Sequence, residues 1–136
     1  MTFTWTDDLA TGNALIDSEH KELIRMISEL MDACSKGKGR DQIMKSVSFL
    51  EQYTLKHFAD EENLQRKSNY PDMQNHLRYH AEFRAAMQDI AHRLRTSGPS
   101  VQLLGEINMK VAVWFTGHIR TQDTRVAAHL RQQGMG

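Results

Sequence analysis

The sequence has a single cysteine, two prolines, no excess of either charge and no long apolar run, and each shortage removes a class of protein. With Cys34 alone, no internal disulfide can form, and a free, partly buried thiol is the expectation. Lysine plus arginine and aspartate plus glutamate both total 17, so no net field draws the chain toward a nucleic-acid backbone or an anionic membrane. No window is long and apolar enough to insert into a bilayer, and the first twenty residues carry early acids without a basic region ahead of an apolar core. Neither a membrane span nor a signal peptide is expected, and a cytoplasmic location follows as the default. The 136 residues suit one domain, 1–136, able to bury roughly two-thirds of its unfolded surface.

What is present is helical periodicity, four times over. Ile16, His20, Leu23, Ile27, Leu30 and Cys34 recur at steps of four and three, the mark of a helix with one inward stripe. "SKGKGRD" breaks it, with Asp41 placed to cap the next helix. The second stripe runs Ile43, Val47, Leu50, Thr54, His57, Glu61 and Leu64. "SNYPD" ends it, with Pro71 suited to a first helical turn and Asp72 to its positive end. The third stripe is Met73, His76, His80, Phe83, Met87, Ile90 and Leu94, closed by "RTSGPS". The fourth takes Leu104, Asn108 or Ile107, Val111, Phe115 and His118. Short connections predict an all-α fold, an antiparallel up-down four-helix bundle. The first fifteen residues, with Phe3 and Trp5, read as a non-helical arm packed over one bundle end, and "TRVAAHLRQQGMG" as a short C-terminal helix fraying after Gln132. There is no internal repeat or low-complexity tract.

Five of the seven histidines, His20, His57, His76, His80 and His118, fall on inward stripes, with Glu61 among them. One histidine on an apolar face is usually a satisfied core residue, and "HFADE" or "HLRYH" alone reads as an ordinary helix pair or a zinc half-site. Contributions from all four helices change the balance, because burying so many polar groups in one small core costs several kcal/mol unless each has a partner. Metal coordination supplies those partners together. His57 and Glu61 lie one turn apart on one face, as do His76 and His80, so a close pair of ions can be gripped by both. His92 and His129 fall outside the pattern and are expected in solvent. Asp60 and Glu62 flank Glu61 but point away from its face.

In "WFTGHIRTQD", Asp123 follows His118 by five residues, about 140° away around an ideal helix. For both to reach one site, the helix must stop or bend just past His118, where Gly117 lowers helix preference. Five imidazoles and two carboxylates exceed one tetrahedral zinc site, and calcium or magnesium prefers an all-oxygen shell. Mixed nitrogen and oxygen donors around paired ions suit iron or manganese, with redox use favouring iron. The Glu-x-x-His pairs of ferritin-type di-iron bundles are missing, as are HExxH, a phosphate-cradling glycine loop and a serine or cysteine triad signature.

Taken in order, "GNALIDSEHKEL", "HFADEENL", "YPDMQNHLRYH" and "WFTGHIRTQD" resemble the hemerythrin family, and specifically its single-domain bacterial members, across essentially the whole chain. The resemblance implies two non-heme irons cycling between ferrous and ferric states. One would be held by His76, His80 and His118 and the other by His20 and His57, with Glu61, Asp123 and an oxo or hydroxo group bridging both. The first iron then has six ligands and the second five, and dioxygen would take the open position. Trp114 and Phe115 are the expected walls of the oxygen pocket, with Ile24 beside them, while Ile27 reads as core. By the same resemblance, Phe115 stands where many relatives carry leucine, which implies a bulkier or differently gated pocket. Trp5 matches a tryptophan near the family's start and reads as packing.

The functional expectation is therefore reversible dioxygen binding, for storage or for delivery to an oxygen-consuming enzyme, without turnover: a binding protein and not an enzyme. Competing readings are an oxygen-sensing partner protein, reduction of nitric oxide or peroxide, and simple iron storage. The shell leaves one exchangeable position, which argues against catalysis. No interface is legible on the balanced surface, and a monomer is expected.

Overall fold

Asn13 starts the first helix with its side chain, which accepts a hydrogen bond from the Ile16 amide at 3.0 Å. Asp17 secures the approach by accepting from the Thr11 amide, the Thr11 hydroxyl and the Gly12 amide. Gly12 sits at φ +93°, and a Cβ there would meet the Arg131 guanidinium at 2.7 Å, so glycine allows the chain to turn beneath the C-terminal segment. The computed structural model describes residues 3–135.

From that start, α1 runs Ala14–Ser35, α2 Arg40–Lys67 and α3 Met73–Ser97. A fourth rod is continuous and of mixed pitch. It comprises α4 (Val101–Ile107), a π-helical segment Asn108–Val113, α5 (Trp114–His118), a second π-helical segment Ile119–Asp123 and α6 (Thr124–Gln132). Helix α2 packs between α1 and α3, and the fourth rod closes the bundle against both, with α6 reaching α2. The core is apolar along most of its length, from Ile27, Leu30, Val47 and Leu50 to Ile90, Leu94, Ile107 and Val111. Among the described residues, no helix is long and apolar enough to cross a membrane.

Several boundaries differ from those the sequence suggested. Asp41 lies inside the first turn of α2, where its charge favours the positive helix end, and the N-cap position is Gly39. Pro71 precedes α3, and Asp72 occupies the N-cap position without a side-chain cap bond. Leu103 is buried, and Leu104 only half-buried. The arm is not wholly extended: Asp7–Leu9 makes one 3-10 turn, and Phe3 and Trp5 border a groove with Lys21, Ile24 and Ser28 along the flank of α1. The C-terminal helix does not follow a break, since the backbone stays in the right-handed helical region from His118 through Thr124.

Candidate metal centre

The second π-helical segment resolves the five-residue spacing of His118 and Asp123 by a change of pitch just past His118, where a stop or bend was expected. When hydrogen bonds run from i to i+5, each turn takes up more residues than in an α-helix, so a residue five positions on returns to the same face. His118 is the last residue of α5, Asp123 ends the π segment, and His118 Nε2 lies 3.1 Å from Asp123 Oδ1.

All seven singled-out residues converge. Glu61, His76, His80, His118 and Asp123 form one group of donors, and His20, His57, Glu61 and Asp123 a second, with the donor atoms of each group within 4.8 Å of one another. The two carboxylates belong to both. The three-imidazole group draws on α3 and the fourth rod, and the two-imidazole group on α1 and α2. Burial is nearly complete: His20, His57, His80 and Asp123 are 0% exposed and His118, the most accessible, 5%.

Each of the five imidazoles brings Nε2 toward a central carboxylate. His76 Nε2 is 2.6 Å from Glu61 Oε1 and 3.0 Å from Asp123 Oδ1, His80 Nε2 is 3.1 Å from Glu61 Oε1, and His20 Nε2 is 2.9 Å from Asp123 Oδ2. His57 Nε2 stands 3.7 Å from Glu61 Oε2. Many of these approaches are close without hydrogen-bond direction: His20 Nε2, His57 Nε2, Glu61 Oε2 and both Asp123 oxygens make no hydrogen bond. Buried donor atoms crowded together and aimed past one another fit positively charged ions between them, because otherwise each would be desolvated with little return. The nitrogen and oxygen set fits a pair of transition-metal ions and does not fit calcium or magnesium.

The outward nitrogens explain how two rings are held. His57 Nδ1–H donates to Glu19 Oε1 at 2.9 Å, and Glu19 Oε2 in turn accepts from Lys56 Nζ at 2.8 Å. His80 Nδ1–H donates to Glu62 Oε2 at 2.8 Å, and the Phe58 ring stacks on His80 at 3.7 Å. A carboxylate on Nδ1 fixes the tautomer that leaves Nε2 as the inward lone pair. Glu62 was expected to point away, and its backbone position does differ from that of Glu61, but its long side chain crosses to α3. Glu19 went unnoticed because it flanks His20 outside any periodic stripe. His129 was expected in solvent, yet it is half-buried and its Nε2–H donates to the Ser68 carbonyl at 2.8 Å. Trp114 and Phe115 face different imidazoles. Phe115 meets His20 edge-on with centroids 5.3 Å apart, whereas Trp114 stacks on His118 at 4.7 Å and 11°.

Charge follows this geometry. Burial and the neighbouring Asp123 oppose ionisation of Glu61, but the hydrogen bond from His76, the close approach of the His80 ring and the charge of His57 outweigh them and hold it at about 2. Burial likewise opposes a proton on His76, but Asp123 and Glu61 carry its pKa up to about 10. His57 is also raised, against its burial, by Glu19, Glu61 and Asp123. Without metal these imidazoles hold protons below their raised pKa values, and an incoming ion must displace them. Metal uptake should therefore release protons and weaken as pH falls, which a lightly buffered titration with a pH indicator would register. Replacing Glu62 with alanine should cost about 10–100-fold in metal affinity, read by competition with a chelator, while the donor set itself stays complete.

The chain matches the model of the hemerythrin HHE cation binding domain over residues 11–130. It is 34% identical over 119 residues to a bacteriohemerythrin of Pseudomonas aeruginosa, covering 88% of this chain and 75% of that protein. A bacteriohemerythrin of Stenotrophomonas maltophilia is 31% identical over 132 residues, 94% of this chain and 84% of its own length. A myohemerythrin of Theromyzon tessulatum is 27% identical over 131 residues, with 94% and 93% covered.

Proposed function

We propose, because this chain belongs to the hemerythrin family, that it binds dioxygen reversibly at a non-heme di-iron centre and serves to store oxygen or deliver it to an oxygen-consuming enzyme. The observation that carries this reading is the asymmetry of the donor groups, three imidazoles on one side and two on the other around the same two carboxylates. Paired irons would supply the electrons and the single open coordination position that reversible oxygen binding needs.

The chain's own residues do the rest. His76, His80 and His118 would hold one ion, His20 and His57 the other, and Glu61 and Asp123 both. Glu19 and Glu62 keep His57 and His80 in the tautomer that offers Nε2 inward. The two-imidazole side is closed to water: His20 and His57 have no exposed surface, and Ile24, Ile27, Phe115 and Ile119 are buried in the adjoining core. A dry, apolar surround lets a small neutral gas enter while it hinders water and charged reductants. Phe115, edge-on to His20, is the residue set to limit the room there.

A reversible carrier gives a visible spectrum that appears with oxygen and disappears when oxygen is removed, over many cycles. Rapid irreversible oxidation in the first cycle, or sustained consumption of peroxide or nitric oxide beyond the iron present, would reject it. Phe115→Ala should shorten the number of cycles survived, because the cavity left beside His20 admits water.

A further inference from the structure

We propose that Trp114 is the port through which electrons from outside reach the metal centre, an inference that rests on that centre being redox-active iron. A carrier whose irons have both become ferric without retaining oxygen is inert until it is reduced again, so a route for electrons is required in addition to one for gas.

The five imidazoles differ in what separates them from solvent. His20, His57 and His80 are 0% exposed and His76 1%, whereas His118 is 5% exposed and borders an open groove. The groove lies between Tyr79 of α3 and Val113, Trp114, Gly117 and Thr121 of the fourth rod. In it, the half-buried Trp114 indole lies nearly parallel to the His118 ring, 11° apart with centroids at 4.7 Å. The same indole stacks on Phe83 at 4.8 Å and 29°; Phe83 meets Phe58 edge-on at 5.9 Å, and Phe58 stacks on His80 at 3.7 Å and 5°. Trp114 is thus in ring contact with one imidazole of the three-imidazole group and connected through two further rings to another. Tyr79, on the facing wall, meets His118 only edge-on at 5.9 Å. Electron tunnelling falls steeply across gaps and less steeply across van der Waals contact between π systems, so the parallel Trp114 stack is the closer of the two ring contacts leading from the groove to His118. Phe115 lies against His20, so the port and the oxygen-side wall touch different halves of the centre.

The groove also indicates the donor class. Among the described residues no lysine, arginine, aspartate or glutamate lines it; Tyr79, Trp114 and the 48% exposed Val113 give it aromatic and apolar surface, and Thr121 and Gln122 add polar groups. A free reduced flavin suits that border, with its flat ring against the indole and its polar edge toward Thr121 and Gln122. In the step, an anionic flavin hydroquinone gives up one electron and becomes the neutral semiquinone, and one ferric ion becomes ferrous. No bond forms or breaks, and Trp114 is neither oxidised nor reduced.

The test compares wild type, Trp114→Leu and Trp114→Phe, each iron-loaded and oxidised, mixed with photoreduced flavin mononucleotide under anaerobic conditions. Trp114→Leu should be reduced about tenfold more slowly or worse, the scale on which supporting partners of metal ligands act, and Trp114→Phe should recover most of the rate because a ring still stacks on His118. A second readout needs no metal. In the Trp5→Phe protein Trp114 is the sole tryptophan, and its emission should fall steeply with added oxidised flavin mononucleotide. Equal reduction rates in wild type and Trp114→Leu, equal slowing in both variants, or emission unmoved by the flavin would each overturn the port. If wild type takes up no iron or shows no oxygen-dependent spectrum, the functional reading fails first and takes the port with it, a result seen before any flavin is added.

Discussion

Asp123→Ala leaves a chain that retains at most one metal ion after gel filtration, with affinity lower by two orders of magnitude or more. Asp123 is the one residue of the fourth rod that belongs to both donor groups, and it is completely buried. Removing one member of a buried charged set costs about 3–5 kcal/mol, because the partners stay desolvated without their counter-charge. Here those partners are His20, His76 and His118, all within 3.1 Å of its oxygens. The loss should exceed that of Glu62→Ala, which disturbs one ring and leaves every donor in place. Metal analysis of the two variants side by side checks the order, and full metal content in Asp123→Ala would remove Asp123 from the centre.

Stripping the metal should lower the thermal midpoint by about 15 °C or more, since ions that bind only the folded chain add their binding free energy to its stability and each kcal/mol moves a domain of this size by a few degrees. The physical source is the cluster itself. Five imidazoles and two carboxylates occupy the space that elsewhere in the bundle holds Ile27, Leu50 and Ile90, and several of their polar atoms have no hydrogen-bond partner. Calorimetry before and after chelation measures the difference. A midpoint that stays put would mean that the cluster stands by its own hydrogen bonds, with ions incidental to it.

Much of this was open to view in the amino-acid order. The stripe Ile16, His20, Leu23, Ile27, Leu30 and Cys34 is buried throughout α1, because α1 is a regular helix and steps of four and three return to one face. The fourth rod resisted the same reading because it is not regular. Leu103, Ile107, Val111, Phe115, Ile119, Asp123 and Ala127 are all buried at unbroken steps of four. On an α-helix each such step overshoots by about 40°, so six of them would carry the stripe most of the way around. The two π-helical segments take up that drift, and the unbroken period of four was the available sign of a wider pitch. Glu62 shows a different limit: a helical angle gives the direction of the Cβ, while a glutamate reaching across to α3 is decided by the neighbouring helix. Glu19 and its contact to His57 depend likewise on how α1 and α2 pack, a relation that no single-helix pattern contains.

The most direct test of the account is an anaerobic oxygen titration of the iron-loaded protein with its metal content determined on the same sample. Two irons per chain and one dioxygen per pair of irons, released again under vacuum with the original spectrum restored, is the result the account predicts. A single iron at saturation, or oxygen taken up without return, would contradict it.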